Sequence, residues 1–158
     1  MGVHGDLDAF VAVLPAEGAL AGLDLGTKTI GIAISDTRQT VASPLDTIRR
    51  RKFALDVQEL LERLTLRRAV GIVLGLPLNM DGSEGPRCQS TRAFARNLAR
   101  LTELPIGFWD ERLSSFAAEQ LLIEAGTRRA RRAEVIDKVA AGIILQGFLD
   151  RLAELRRS

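Results

Sequence analysis

The chain has 158 residues, 46% of them hydrophobic and 27% charged, a balance that suits one folded domain with a normal core. Its one cysteine, Cys88, and one histidine, His4, exclude an intrachain disulfide and a His/Cys zinc cluster, and the place of His4 in the N-terminal extension argues against a histidine-based nucleophile system. The net charge is only +2, yet every basic residue except Lys28, Lys52 and Lys138 is arginine, whose planar fork suits bidentate contact with phosphate. No apolar run approaches the roughly 18 residues of a membrane span. The start of the chain lacks the basic region of a secretory signal. A cytoplasmic protein with no membrane contact is therefore expected. Any chemistry must come from carboxylates, hydroxyls, lysine or arginine.

Residues 1–18 form an N-terminal extension, either a short docked helix or a flexible tail, and residues 19–158 form the main domain. Ala19–Asp36 (ALAGLDLGTKTIGIAISD) reads as a hairpin: an apolar strand, a turn containing Gly26, Thr27 and Lys28, then a β-branched strand. Asp24 ends the first of these strands. An ionised aspartate is rarely tolerated there without a compensating cation or partner, so it is the first candidate ligand of a metal site. Val41–Ile48 reads as a third strand, and Pro44, which cannot donate a ladder hydrogen bond, places it at a sheet edge.

After the basic run Arg49–Lys52, Phe53–Leu64 carries apolar residues at helical spacing. Ala69–Leu76 is apolar without alternation, as in a strand covered on both faces. A loop, Pro77–Gly85 (PLNMDGSEG), feeds a helix over Pro86–Leu101 whose buried stripe is Phe94, Leu98 and Leu101. Pro105–Asp110 is a short strand followed by Glu111 and Arg112. Ser114 and Gly126 suit the two caps of a helix over Ser115–Ala125. Thr127–Arg132 (TRRARR) reads as a basic connector, and a final helix follows over Ala133–Leu155.

The order β-β-β-α-β-α-β-α-α predicts a mixed five-stranded α/β sheet with helices on its faces. Ligands in such sheets gather at the carboxyl ends of the parallel strands. Asp24 and the pair Asp110–Glu111 belong at that rim. Asp137 is followed by Ala141, Ile144 and Phe148 at offsets of four, seven and eleven, so it sits on an inward face of the last helix. Each acid alone has a structural explanation in a cap, a turn or a helix dipole. Together on one rim they need a cation to offset their repulsion. Without histidine that cation is hard and oxygen-liganded, Mg²⁺ or Mn²⁺, and a pair of such ions suits phosphodiester hydrolysis.

The runs GLDLGTKTIGIAISD, LGLPLNMDGSEG, DERLSS and IDKVAAGIILQGFL, in this order from Leu20 to Leu149, resemble the YqgF/RuvX family of ribonuclease H-like proteins. The resemblance implies a ribonuclease H-like sheet of strand order 3-2-1-4-5. It also implies a metal-dependent nuclease of the kind discussed for Holliday junction resolution and for processing the 5′ end of small-subunit (16S) ribosomal RNA precursor in ribosome biogenesis. Carried over by position, Asp24 and Asp137 are two of its catalytic acids, and the third lies in the pair Asp110–Glu111. Glu111 is preferred, because its longer side chain reaches farther across the rim. Leu74–Leu78 carries no acid, and Asp81 lies in the loop beyond it.

The expected partner is structured RNA or branched DNA, bound by a monomer or a homodimer. Its phosphates would meet Lys28 and Arg112 beside the acids, Arg128, Arg129, Arg131 and Arg132 before the last helix, and the stripe Arg92, Arg96 and Arg100. With a single tryptophan and no tyrosine, base stacking is a weak source of affinity. Two other readings remain at this point. One is a nucleic-acid-binding module without turnover. The other is a phosphotransferase, since DLGT also resembles the first phosphate loop of actin-like ATPases and sugar kinases. Against the latter, 158 residues leave no room for a second copy of the sheet.

Overall fold

The computed structural model describes residues 2–112 and 129–157, and the side chains among them except those of residues 129–135. In chain order the elements are β1 (Val3–His4), α1 (Leu7–Val13), β2 (Ala19–Leu25), β3 (Thr29–Ser35), β4 (Ala42–Arg49), α2 (Phe53–Leu66), β5 (Ala69–Leu76), α3 (Pro86–Ala99), β6 (Ile106–Asp110) and α4 (Arg129–Arg157). The helix expected over Ser115–Ala125, with its caps Ser114 and Gly126, lies outside the described residues.

The strands form one sheet in the order β1-β6-β5-β2-β3-β4. The five expected strands stand in the expected order, but the sheet has six. The sixth is β1, whose Val3 and His4 pair in parallel with Ile106 and Gly107. Two residues without an alternating pattern give no strand signal of their own, and only the open edge of β6 makes this one. Helix α1 follows it and buries Phe10 against Phe148 of α4, with ring centroids 5.4 Å apart.

β2 is the central strand. All seven of its residues are buried, and it runs antiparallel to β3 and parallel to β5. One face of the sheet, with Ala21, Leu23 and Leu25 from β2, packs against Val57, Leu60 and Leu64 of α2 and Phe94 and Leu98 of α3. The other face, with Leu20, Ala33 and Val73, packs against Phe10 of α1 and Ala141, Ile144, Leu145 and Phe148 of α4. Successive residues of a strand point to opposite faces. Asp24, between Leu23 and Leu25, therefore points to the α4 side.

β4 forms the far edge, as Pro44 requires. Ile32 pairs with Asp46 and Ala33 with Pro44, so Leu45 is one residue too many and the strand bulges there. Two expectations are corrected at helix ends. Leu101 does not join the buried stripe of α3: the helix ends at Ala99, and Leu101 is 55% exposed beyond it. Residues 129–132 are also no connector, because α4 is already helical at Arg129. Arginine and alanine are strong helix formers and no proline interrupts the run, so the helix extends through them. No helix among the described residues is long and apolar enough to cross a membrane.

Candidate active site

The acids meet because α4 lies almost directly on the strands. Asp24 pairs across the ladder with Gly31. A Cβ placed on Gly31 would lie 1.9 Å from the backbone carbonyl oxygen of Asp137, closer than any two such atoms can approach. A Cβ on Gly75 of β5 would lie 2.3 Å from a carboxylate oxygen of Glu111 and 2.5 Å from Ile144 Cδ1. The missing side chains of these two glycines are the space in which α4 and Glu111 approach Asp24.

Asp24 is 5% exposed and Glu111 9%, and the two carboxyl groups share a hydrogen bond. Burial, then the charges of Glu111 and Asp137, push Asp24 up to about 8. The pair thus retains a proton that bridges the two carboxyl groups. Burial also raises Glu111, opposed by the positive charge of Arg87 and by the bond from Asp24. Asp137 is half-buried. Burial raises it, while the Thr29 hydroxyl donates to its Oδ2 and draws it back.

Asp110 is not part of this group. Consecutive residues leave β6 on opposite sides, and Asp110 is bound by Arg112 through its backbone N–H at 3.0 Å and its Nε at 2.7 Å. Burial pushes Asp110 up, but the bonds from Arg112 outweigh it and hold the carboxyl below its ordinary value. Arg112 also donates to the Met80 carbonyl at 3.3 Å, fastening the 77–85 loop to the end of β6.

The arginines divide the same way. Arg92 is held by Glu84, with Nε–Oε1 at 2.7 Å and Nη2–Oε2 at 2.8 Å, and lies over the Phe108 ring. Arg96 and Arg100 are exposed, and Arg96 lies about 15 Å down the helix axis from Pro86 at the rim. Lys28 is exposed in the β2–β3 turn. Arg128 and the side chains of Arg129, Arg131 and Arg132 lie outside the described residues. The sequence reading missed Arg87 and Thr29. Arg87 is the second residue of α3, and its charge acts on both Asp24 and Glu111. A proline at the first helical position marks the helix start at the rim, and the arginine after it was the available signal.

Three all-oxygen donors, two of them buried and all with raised affinity for a proton, suit a hard divalent cation, which would take the proton's place. They do not yet close on one centre. Among the described residues no three Asp, Glu, His or Cys side chains stand together at ligand spacing, because Asp24 and Glu111 face one another and Asp137 faces Thr29.

A family model described as "RuvX: Holliday junction resolvase" matches residues 18–151. The chain belongs to the RuvX family. Relatives within reach of this RuvX chain include proteins named "Putative pre-16S rRNA nuclease" in three bacteria. The one from Rhodobacter capsulatus is 65% identical over 152 residues, covering 96% of each chain. That from Paracoccus denitrificans is 66% identical over 153 residues, covering 97% of each. That from Ruegeria sp. is 64% identical over 156 residues and 99% of each, so the segment ahead of β2 is shared with it. Among solved structures, Thermus thermophilus RuvC bound to a Holliday junction superposes with a TM-score of 0.53 at 15% identity, covering 85% of this chain and 95% of that one. The yeast mitochondrial Holliday junction resolvase Ydc2 gives 0.53 at 12% identity, covering 96% and 86%. At that distance these two establish the ribonuclease H-like fold and nothing finer.

Proposed function

We propose that this RuvX chain is a divalent-metal-dependent nuclease that hydrolyses phosphodiester bonds in structured nucleic acid, with the 5′ end of 16S ribosomal RNA precursor as its substrate. The observation that carries the reading is the buried carboxyl pair Asp24–Glu111 with the half-buried Asp137 near it, acids whose ionised forms are costly there unless a cation compensates them. The 16S precursor as substrate is supported by the name shared by relatives about 65% identical over nearly the whole chain, and its 5′ end is what the family resemblance implies.

Asp24, Glu111 and Asp137 would hold Mg²⁺ or Mn²⁺. A pair of such ions supplies an activated water and stabilises the leaving oxygen. The chain's own residues then have defined tasks. Release to solvent of the proton shared by Asp24 and Glu111 would leave both carboxylates free to hold the cation. Thr29 holds the Asp137 carboxylate in one orientation. Arg87 offsets the negative charge of Asp24 and Glu111 and keeps the rim from repelling a phosphate. The 77–85 loop, tied by Arg112, borders the rim from the β5 side.

The test is cleavage of two substrates side by side, a 16S precursor fragment and a four-way DNA junction, with Mg²⁺ or Mn²⁺ and with each metal chelated. Metal-dependent cuts in the RNA, lost in Asp24→Asn, are expected. Cuts in the junction alone would move the substrate to branched DNA. Tight RNA binding with no cleavage under either metal would replace the reading with a binding module.

A further inference from the structure

Beside the acids, on the α2–α3 side of the sheet, lies a cavity of ≈ 460 Å³ whose walls include Leu25, Gly26, Arg50, Arg51, Arg87 and Ser90. Arg63, Arg92 and Arg112 each have a carboxylate partner at close range, and Arg51 stands 3.6 Å from Glu59. Among the described residues no ion pair is made by Arg50 or Arg87.

Arg50 is nonetheless held in place. Its Nη1 donates to the Gly26 carbonyl at 2.6 Å, and its guanidinium lies 5.9 Å from the centre of the Phe94 ring. Arg87 donates to the Leu25 carbonyl at 3.4 Å. Arg50 is therefore fixed by neutral groups, which orient it without cancelling its charge, while Arg87 is oriented by a carbonyl and shares its charge with the acids. The Ser90 hydroxyl, on the first turns of α3, adds a neutral donor at the same wall. Fixed cations with spare donors around a cavity form an anion site.

Its place relative to the acids identifies the anion. Asp24 and Leu25 are consecutive residues on opposite faces of β2. Arg87 lines the cavity, yet its charge reaches Asp24 and Glu111. We infer that the cavity binds a backbone phosphate of the nucleic-acid strand adjacent to the phosphate that reacts at Asp24, and so fixes where along the strand the cut falls. This rests on the nuclease reading for the identity of the neighbouring phosphate. The site itself is a phosphate site whether or not the acids turn over.

The experiment measures binding of a short hairpin RNA to the full chain with divalent metal chelated, so that no cleavage is required. Arg50→Ala should weaken binding roughly ten- to a hundredfold, as loss of a charge-assisted hydrogen bond would, and reduce the salt slope by about one. Ser90→Glu, an exposed change that spares the contacts of Arg50, should weaken it comparably. Its thermal melting should match the parent chain. A set of RNAs, each with one phosphate replaced by a neutral methylphosphonate, then locates the contact. One position should weaken binding to the parent chain and make no further difference to Arg50→Ala. Unchanged affinity in both variants, or the same sensitivity pattern in Arg50→Ala as in the parent, would overturn the proposal. A located phosphate in a protein that cuts no substrate would leave this site standing and remove the nuclease.

Discussion

Asp24 is held at about 8 in the fold against 3.8 for a free side chain, by burial first and then by the charges of Glu111 and Asp137. The folded chain thus keeps a proton that the unfolded chain gives up. Where the unfolded state binds fewer protons, stability falls as pH rises. The contribution of Asp24 is fully present below about pH 4 and is lost as the pH rises through about 8. With metal chelated, the melting temperature should therefore decline across that window, and Asp24→Asn should flatten the decline. Added Mg²⁺ should restore the parent chain at high pH and leave Asp24→Asn unchanged. A melting temperature independent of pH in the chelated parent would show that the acids are not coupled in this way.

Much of this was legible in single residues. Asp24 in an apolar run and Asp137 in register with Ala141, Ile144 and Phe148 both announced themselves by pattern. Glu111 and Asp110 did not, because two adjacent acids after a strand differ only in which side of the sheet they leave from. The structure separates them: Glu111 faces Asp24, and Arg112 holds Asp110 away. Arg87 and Thr29 were missed for a related reason. Their importance lies in what stands opposite them, and neither breaks a local rule.

At the scale of elements, the site depends on how closely α4 lies on β2 and β3. The periodicity of α4 indicated which face turns inward but not how near it comes, because that distance is set by glycines on the facing strands. The extra strand β1 was invisible for the complementary reason that an open edge on β6 makes it. Gly31→Ala tests the close approach. Its Cβ would meet the Asp137 carbonyl, a backbone atom that cannot rotate away. Overpacking of this kind costs about 1–3 kcal/mol, or roughly 2–4 °C of melting temperature per kcal/mol in a chain of this size. Because the helix would have to lift off with Asp137 aboard, cleavage per folded molecule should also fall. Full activity in the folded fraction would mean that the site tolerates a displaced α4.

Across the whole molecule, the two ends of the chain close around the sheet. Gln39 donates to the carbonyls of Pro15 and Gly18 and accepts from Arg156 of α4 at 2.8 Å. Phe10 packs on Phe148 and would touch a Cβ placed on Gly107 at 2.3 Å. The segment ahead of β2 is thus part of the packed core on the α4 side. Phe10→Ala should cost about 3–5 kcal/mol, as truncation of a buried aromatic does, while leaving the affinity for divalent metal in the folded protein unchanged. A loss under about 1 kcal/mol in equilibrium unfolding would mean that α1 contributes little to that core.

The nuclease reading requires Asp24, Glu111 and Asp137 to act together as a ligand set for a divalent cation. Calorimetric titration of Mn²⁺ into the chelator-cleared protein, repeated in two buffers of different ionisation enthalpy, tests this most directly. Saturable binding is expected, with release of the proton shared by Asp24 and Glu111. That binding should be lost in Asp24→Asn, in Glu111→Gln and in Asp137→Asn, and kept in Asp110→Asn. Binding that survives Asp24→Asn, or that depends on Asp110 in place of Glu111, would contradict this ligand set.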